Sequence, residues 1–328
     1  MKKILVIGSN SFSGSNFISY AIKNEFQVTG ISRSKEKNEV MLPYKWRDYK
    51  NFKFFQLNVN TQLTEVHQLI KKEKFSMIFN FAAQSMVGQS WDYPEDWMQT
   101  NVVASAKLLT KLREYDFLDK YVHVTTPEVY GCTNGWKAED FLFNPSTPYA
   151  TSRAASDMLF KIYEKEYSIP IVFTRAANVY GPGQQLYRII PLTIYNLMAG
   201  KKVLLHGGGK SVRSFIHMDD VSKATQLIAE EGKSGESYHI STWDLISIAG
   251  LVKTICVKLR IDFHDHTKNV GDRVGKDASY KLDSNKIRKE LSWKEEISLD
   301  QGIDDTINWV EKNFKKLGNE EKSYIHKA

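Results

Sequence analysis

The feature that most constrains the fold is a turn with a glycine at each end, placed between an apolar run and a helical pattern. The run covers residues 3–7, the turn reads Gly8-Ser-Asn-Ser11-Phe-Ser-Gly14, and the helical pattern covers residues 17–23. Glycines in such a turn let the backbone approach a pyrophosphate, and the helix N-terminus supplies unpaired N–H groups. Because Ser11 replaces the middle glycine of the usual fingerprint, an ordinary strand–turn–helix connection is the alternative. The turn predicts dinucleotide contacts at Gly8, Asn10, Ser11, Phe12 and Gly14.

Strand and helix patterns alternate through the first half of the chain. Further strand patterns cover residues 28–31, 52–57, 77–81 and 121–125, and helical patterns cover residues 63–71 and 97–112. This alternation predicts an α/β fold of the Rossmann type, a doubly wound parallel sheet with helices on both faces. From Asn178 onwards the pattern loosens, which predicts a smaller mixed α/β lobe at the C-terminal end.

We therefore expect two units and a tail. The dinucleotide-binding Rossmann domain is predicted at residues 1–177, with 212–240 returning to it. The C-terminal substrate lobe is predicted at residues 178–211 and 241–317. The last residues, 318–328, are expected to form a frayed tail.

Charge and hydrophobicity limit the classes of partner. The 45 Lys and Arg residues exceed the 38 Asp and Glu residues, but the lysines are spread along the chain, so no nucleic acid partner is expected. No apolar run reaches the roughly 20 residues that a membrane helix needs, so no membrane association is expected. The N-terminus lacks a signal-peptide cleavage site, which predicts a cytoplasmic protein. Cys132 and Cys256 have no zinc-type spacing, and we predict no metal site.

The end of the second predicted strand bears on the identity of the dinucleotide. About 20 residues after the glycine turn, NAD-binding folds place a carboxylate on the adenosine ribose, whereas this chain has Ser32 and Arg33 at that point. A hydroxyl and a guanidinium can bind a 2′-phosphate, which favours NADP over NAD. The alternative is that Arg33 is a solvent-facing loop residue. NADP or NAD is therefore the expected cofactor, with NADP preferred.

A third pattern predicts a proton-transfer site. The segment Val124-Thr-Thr126-Pro-Glu128-Val-Tyr-Gly131 includes the end of the fifth strand pattern, and Pro148-Tyr149-Ala-Thr-Ser-Arg153 begins a helix. Residues four apart on a helix are neighbours, so Arg153 is expected beside Tyr149. Tyrosine ionises at about pH 10, so a tyrosine that acts as a base near neutral pH needs a nearby cation. Taken alone, a Tyr–Arg pair of this spacing is more often part of a helix surface.

With these motifs the chain resembles the extended short-chain dehydrogenase/reductases and, within them, the nucleotide-sugar 4,6-dehydratases. Residues 125–131 resemble the Ser-Thr-Asp-Glu-Val-Tyr-Gly segment of dTDP-glucose 4,6-dehydratases. Residues 80–85, Asn-Phe-Ala-Ala-Gln-Ser, and residues 90–92 are similar to those of GDP-mannose 4,6-dehydratases. Further similar segments are 174–182, 212–220 and 272–277, and the resemblance extends over residues 3–313.

The resemblance implies a reaction and roles for four residues. A nucleoside-diphosphate hexose would be the substrate and a 4-keto-6-deoxy sugar nucleotide the product. Tyr149 would take the proton from the sugar O4 while hydride leaves C4, with Thr126 hydrogen-bonded to the same oxygen and Arg153 supplying positive charge. Glu128 would then remove the C5 proton, water would leave from C6, and hydride would return to C6.

The resemblance also implies binding residues and an oligomeric state. The cofactor contacts beyond the glycine turn would be Ser32, Arg33, Asn58, Val59, Phe81, Ala82, Ala83, Tyr149 and Arg153. The substrate contacts would be Ser85, Thr126, Asn178, Arg213 and Arg273. Asn58 can also be read as an ordinary loop residue and Ser85 as a helix cap. Family members usually dimerise through the helices around residues 101–113 and 149–166, so a homodimer is expected.

Two residues depart from the family pattern and keep alternatives open. Pro127 stands where dTDP-glucose dehydratases carry the aspartic acid that protonates the departing hydroxyl, so Glu128 would have to deliver that proton. Arg153 replaces the usual lysine and keeps the positive charge with a broader set of donors. A 4-epimerase or C4 dehydrogenase of the same fold and a non-catalytic cofactor-binding sensor are the alternatives. Glu128 favours dehydration, because epimerisation at C4 needs no base at C5.

Overall fold

A parallel sheet of seven strands forms the centre of the molecule, which the computed structural model describes at residues 1–47, 50–133, 135–271 and 281–327. The seven strands are β1 (Lys3–Ile7), β2 (Gln27–Ser32), β3 (Phe52–Gln56), β4 (Met77–Asn80), β5 (Lys120–Thr125), β7 (Ile171–Ala176) and β12 (Ser237–Ile240). Their spatial order is β12-β7-β5-β4-β1-β2-β3, and every neighbouring pair is parallel. The predicted Rossmann-type α/β fold is confirmed.

The order of the strands reverses between β1 and β4. β1 pairs with β2 on one side, where Lys3 lies opposite Gln27, and with β4 on the other. In open sheets of this kind, ligands bind in the crevice beyond the carboxyl ends of the strands at the point of reversal. Gly8 follows β1 and Phe81 follows β4, so the predicted dinucleotide turn lies at this crevice.

Helices cover both faces of the sheet because successive side chains of β1 point to opposite faces. Ile4 and Val6 belong to one apolar cluster with residues of α1 (Phe12–Lys23), α7 (Met218–Glu231) and α10 (Asn285–Leu291). Leu5 and Ile7 belong to a second cluster with residues of α2 (Leu63–Glu73), α4 (Ala104–Leu112) and α5 (Pro148–Tyr167). The sheet is thus buried between two helical layers.

A third apolar cluster lies in the C-terminal half and joins three helices, α6 (Ile189–Met198), α8 (Ile248–Leu259) and α11 (Leu299–Leu317). Short strand pairs accompany it: β8 (Asn178–Tyr180) with β11 (Phe215–His217), β9 (Val203–His206) with β14 (Thr267–Val270), β10 (Val212–Arg213) with β13 (Ile246–Ser247), and β6 (Trp136–Lys137) with β15 (Lys281–Leu282). A single helical turn, α9 (Phe263–His266), precedes β14. These helices and short strand pairs form the smaller mixed lobe that the sequence predicts. The boundaries between this lobe and the Rossmann domain stay a prediction.

Residues 97–112 differ from the single α-helix that their pattern predicts. The helix α3 (Pro94–Met98) passes directly into a π-helical segment, Gln99–Val103, and then into α4. Asn101 is buried in this segment, and its side chain exchanges two hydrogen bonds with the backbone of Gln84, at 2.9 Å and 3.0 Å. The π segment therefore ties the loop after β4 to the helical layer.

The C-terminal tail also differs from its prediction. Residues 319–327 are not helical, but they are not frayed, because Tyr324 and His326 pack against aromatic side chains of the main body. No helix among the described residues combines the length and the hydrophobicity that crossing a membrane requires.

Candidate active site

Contacts that only glycine permits hold the turn after β1. Gly8 has a φ of +86°, and a Cβ on it would lie 2.7 Å from the backbone nitrogen of Ala82. A Cβ on Gly14 would overlap the carbonyl oxygen of Gly8. The hydroxyl of Ser11 accepts the Gly14 N–H at 3.0 Å and caps α1. Ser11, at the position of the missing glycine, thus has a structural role as the cap of α1. The N-terminus of α1 lies at the crevice.

Asn10 links the glycine turn to the loop after β2. Its amide donates to the carbonyl oxygen of Ser34 at 2.9 Å, and its backbone N–H donates to the hydroxyl of Ser32 at 3.2 Å. The guanidinium of Arg33 donates to the carbonyl oxygen of Lys327 at 3.0 Å. Arg33 is half-buried, so it is not a plain solvent-facing loop residue. Its charge lies beside the crevice, at the end of β2.

The residues after β3 and β4 that were predicted to bind the cofactor divide into two groups. Val59 and Ala82 line one small pocket together with Thr100. Asn58 instead uses its side-chain oxygen to accept the N–H of Asn60 at 2.9 Å, which is the behaviour of a loop-forming asparagine. Val59 and Ala82 thus lie together beside the crevice, whereas the side-chain oxygen of Asn58 is engaged within its own loop.

Two of the predicted cofactor contacts belong to the core. The side chains of Phe12 and Phe81 are buried in the cluster that includes Phe17, whose ring lies 5.4 Å from that of Phe81. Only their backbone atoms can face a ligand. A sequence motif identifies the residue but does not show whether its side chain or its backbone makes the contact. Ala83 is half-buried in the loop after β4.

Thr126 and Glu128 lie just after β5, where Thr126 caps a short 3₁₀ turn, Pro127–Tyr130, and Glu128 lies within that turn. Thr126 is extended, and its hydroxyl accepts the N–H of Glu128 at 3.3 Å, which caps the turn. Pro127 occupies the first position of the turn, where no N–H is needed, and it is buried. Proline therefore has a structural role at the position of the missing acid, and the turn leaves Glu128 half-buried.

Tyr149 lies in the first turn of α5, which Thr147 caps by accepting the N–H of Ala150 at 3.1 Å. The Thr126 hydroxyl is close enough to the phenol of Tyr149 to lower its pKa. Burial raises the pKa of Tyr149 above its usual value and the Glu128 carboxylate adds to this effect, while Arg153 acts in the opposite direction. Tyr149 therefore holds its proton at neutral pH until more positive charge reaches the site.

Arg153 follows Tyr149 by one turn of α5 and is buried. Its guanidinium donates to the carbonyl oxygen of Val124, near the end of β5. This bond fixes the guanidinium close to the strand that leads into Thr126. The structure therefore brings together all four predicted catalytic residues.

A buried polar network lies behind these residues and begins at Asp157 on α5. Its carboxylate accepts from Arg175 at 2.8 Å and from Thr125 at 3.0 Å, and Nε2 of His123 lies 3.1 Å from its other oxygen. Burial opposes ionisation, but the Arg175 guanidinium holds the pKa of Asp157 below its usual range. Burial lowers the pKa of His123 to about 4, so this imidazole is neutral. The network joins α5 to β5 and β7 next to Thr126.

Apart from Thr126, the predicted substrate residues belong to other segments of the chain. Asn178 begins β8, and its amide donates to the carbonyl oxygen of Ser214, the residue after Arg213. Arg213 on β10 is half-buried. Ser85 is exposed and caps no helix, since the next helical turn begins only at Gly88. Arg273 lies outside the described residues.

The sequence patterns did not predict a place at the site for Arg188 or Asn101. Arg188 stands at the N-terminus of α6 and is close enough to Tyr149 to oppose the rise of its pKa. Asn101 also donates to Ser152 at 2.9 Å and so connects the loop after β4 to α5. The only sequence signals were a lone arginine before an apolar helix and an amide within a helical pattern.

Among the described residues, no group of three or more His, Cys, Asp or Glu side chains is placed to hold a metal ion. The site consists of a glycine turn, hydroxyls, a carboxylate and three arginines, Arg33, Arg153 and Arg188. Such groups suit the binding of a dinucleotide and the transfer of protons.

Known proteins resemble this chain over most of its length. A family profile described as GDP-mannose 4,6 dehydratase matches residues 5–306. A dTDP-glucose 4,6-dehydratase from Haemophilus influenzae is 30% identical and aligns with 94% of this chain and 98% of its own. The structure of a dTDP-glucose 4,6-dehydratase from Streptomyces venezuelae, with NAD and TYD bound, has a TM-score of 0.87 at 29% identity and covers 96% of this chain and 98% of its own.

An epimerase shares the same architecture. The structure of a UDP-glucose 4-epimerase from Thermotoga maritima with UDP-glucose has a TM-score of 0.87 at 25% identity and covers 95% of this chain and 99% of its own. Overall shape therefore does not separate dehydration from epimerisation, and the side chains of the site have to do so.

Proposed function

Because the chain belongs to the GDP-mannose 4,6-dehydratase family and is a nucleotide-sugar 4,6-dehydratase, we propose that it forms a 4-keto-6-deoxy sugar nucleotide in three steps. These are oxidation at C4, loss of water across C5 and C6, and return of hydride to C6. The observation that carries the proposal is the meeting of three side chains: Thr126 caps the turn that holds Glu128, and both residues are close enough to the phenol of Tyr149 to act on its pKa.

The cofactor we propose is NADP, held at the crevice between β1 and β4. The close packing of Gly8 and Gly14 leaves backbone N–H groups at the start of α1 for a pyrophosphate, and Val59 and Ala82 are the candidates for contacts with the adenine. Arg33 is placed to bind a 2′-phosphate, and the residues directly after β2, Arg33 and Ser34, include no carboxylate that could bind a free ribose hydroxyl. When bound, the dinucleotide would supply positive charge near Tyr149, take the hydride from C4 and give it to C6.

The first step uses Tyr149 as the base for the hydroxyl at C4 of the hexose. Thr126 donates a hydrogen bond to the same oxygen. Arg153 and Arg188 oppose the raised pKa of the phenol, so they favour the phenolate that removes the proton. Loss of the O4 proton and of the C4 hydride leaves a ketone at C4, which acidifies the hydrogen on C5.

The second step uses Glu128 in both halves of the elimination. Its carboxylate removes the C5 proton, the bond between C6 and its oxygen breaks, and the same carboxyl returns the proton to the departing hydroxyl as water. Pro127 has no proton to give, so a single acid–base residue serves both transfers. Hydride addition at C6 and addition of a proton at C5 then complete the 6-deoxy group. The proton added at C5 balances the one that Tyr149 removed from O4, so the net change is the loss of one water.

The substrate we propose is a nucleoside-diphosphate hexose, with dTDP-glucose as the first compound to test because the relatives named above act on it. Arg213 and Asn178 lie on neighbouring segments beyond β7 and are the candidates for diphosphate contacts. Arg188, which flanks the site at the start of α6, adds a third polar group. A cytoplasmic location suits an enzyme that uses such substrates and a dinucleotide.

Mass spectrometry of sugar nucleotides tests the proposal. The purified chain is incubated with dTDP-, UDP-, GDP- and CDP-hexoses, each with NADP or NAD and without external reductant. We expect one substrate to lose one water. A product of unchanged mass and altered chromatographic mobility would establish an epimerase instead.

Variants separate dehydration from epimerisation. Tyr149→Phe should lower kcat by about 10²–10⁴-fold for either reaction, since both need the base at O4. Glu128→Gln should abolish loss of water but spare an epimerase. Tyr163→Phe is the matched control, because Tyr163 lies on the same helix near its other end. Full activity of Glu128→Gln in forming the deoxy sugar would refute the role of this carboxylate.

We also propose that the chain forms a homodimer through α5. Met158 and Ile162 lie four residues apart on this helix and are 54% and 61% exposed, which is unusual for apolar side chains outside an interface. Val103, in the predicted partner helix, is 39% exposed. Light scattering should give twice the chain mass, and Ile162→Glu should give the mass of one chain. A single-chain mass for the unmodified protein would refute the dimer.

A further inference from the structure

The segment of residues 321–327 runs back from the end of α11 to the crevice. Lys322 donates to the carbonyl oxygen of Gly318 and thereby holds the end of the helix. Five residues later, the carbonyl oxygen of Lys327 accepts from Arg33 at 3.0 Å and from Gln84 at 2.6 Å. A segment that follows the last helix thus bonds directly to Arg33 of the predicted cofactor site and to Gln84 in the loop after β4.

Aromatic contacts anchor this segment. The ring of His326 stacks on Tyr93, with centroids 4.7 Å apart, and on Trp97, with centroids 5.0 Å apart. Its Nε2 lies 2.7 Å from a carboxylate oxygen of Asp96. Tyr324 meets the ring of Tyr187 edge-on at 5.6 Å. Stacked rings and a charge-assisted contact give the segment a defined position rather than a random one.

The two donors that hold Lys327 lie on either side of the glycine turn. Arg33 follows β2, Gln84 lies in the loop after β4, and β1 lies between these two strands in the sheet. A carbonyl bonded to both side chains must therefore lie over the turn that follows β1. A dinucleotide bound to that turn would pass through the same space and would use the same guanidinium.

We propose that residues 321–327 close the cofactor crevice and compete with the dinucleotide for it, an inference that rests on the proposed dinucleotide site. The occupant of the crevice in the ligand-free chain is then its own C-terminal segment, with the Lys327 carbonyl in place of an acceptor oxygen of the cofactor. Binding of the cofactor displaces the segment, and the apparent affinity is reduced by the fraction of chains in which the crevice is closed.

Titration calorimetry with NADP and with NAD tests the competition on cofactor-free protein. A variant that ends at Lys322 keeps the bond to Gly318 and removes the segment that enters the crevice. Two hydrogen bonds, one of them charge-assisted, favour the closed state, so we expect the truncated chain to bind about tenfold more tightly or more. His326→Ala should also increase the affinity for the dinucleotide, because it removes the stacking on Tyr93 and Trp97 that holds the segment in place. Ile325→Ala is the control, since Ile325 is 54% exposed, and it should leave the affinity unchanged.

Two results would overturn the inference while leaving the proposed function intact. Equal affinities of the full and truncated chains would mean that the segment does not occupy the crevice in solution. Weaker binding by the truncated chain would mean that the segment covers the bound dinucleotide rather than excluding it. Absence of binding by both chains would overturn the dinucleotide site itself and this inference with it.

Discussion

Replacing Asp157 by asparagine should destabilise the chain more than any exposed charge substitution. Asp157→Asn keeps the shape of the side chain but leaves the guanidinium of Arg175, which is fully buried, without its counter-charge. Breaking a buried ion pair on one side costs about 3–5 kcal/mol. At about 2–4 °C per kcal/mol, the melting temperature should fall by roughly 6–20 °C.

Thermal unfolding followed by circular dichroism measures this effect, and a double-mutant cycle identifies its cause. Arg175→Met should cost a similar amount, but Asp157→Asn combined with Arg175→Met should cost no more than either change alone, because no buried charge is then left unpaired. The control is Glu73→Gln, which breaks the exposed pair of Glu73 with Lys3 and should cost less than about 1 kcal/mol. If Asp157→Asn shifts the melting temperature no further than the control does, or if the two buried changes simply add, the reasoning fails.

Three further outcomes follow from the geometry. The folded chain protonates His123 only at about pH 4 whereas the unfolded chain does so near 6.5, so stability should fall by about 3 kcal/mol as the pH drops through this window in urea titrations, and His123→Asn should reduce that slope. Gly8→Ala places a Cβ 2.7 Å from Ala82 at a φ of +86°, so it should abolish dinucleotide binding in calorimetry, and normal affinity would contradict the close packing. Thr147→Ala removes the cap of α5 and should lower the free energy of unfolding by about 1 kcal/mol, measured by thermal unfolding. An unchanged melting temperature would mean that water replaces the hydroxyl and that the cap adds no stability.

The sheet follows from the sequence because buried parallel strands are continuous apolar runs. The pattern at residues 3–7 predicts a strand, and β1 has these bounds. The strand pairs of the C-terminal lobe carry no such signal, since strands of two to four residues, such as β10 and β13, are too short to show a period. Periodicity also cannot distinguish a continuous α-helix from one interrupted by the π segment at residues 99–103.

The sequence predicts which site residues meet only where those residues are close together along the chain. Thr126 and Glu128 lie in one turn, and Tyr149 and Arg153 on one face of a helix, so spacing alone brings each pair together. Arg188 reaches the site only because the C-terminal half folds back on the sheet. The same holds for the tail, whose contacts join residues more than 200 positions apart. The catalytic and binding roles of these residues stay predictions until the variants are measured.

The π-helical segment sets the rotational phase between α3 and α4. Each residue of an α-helix turns the chain by about 100°, so one residue more or fewer re-aims every side chain beyond that point. Trp97 before the segment and Leu109 after it are both completely buried, and Asn101 within it faces Gln84. Deleting any one residue from 99–103 would turn one of these faces towards solvent. The packing of α3 and α4 against the core therefore depends on the number of residues in this segment as strictly as on any side chain in it.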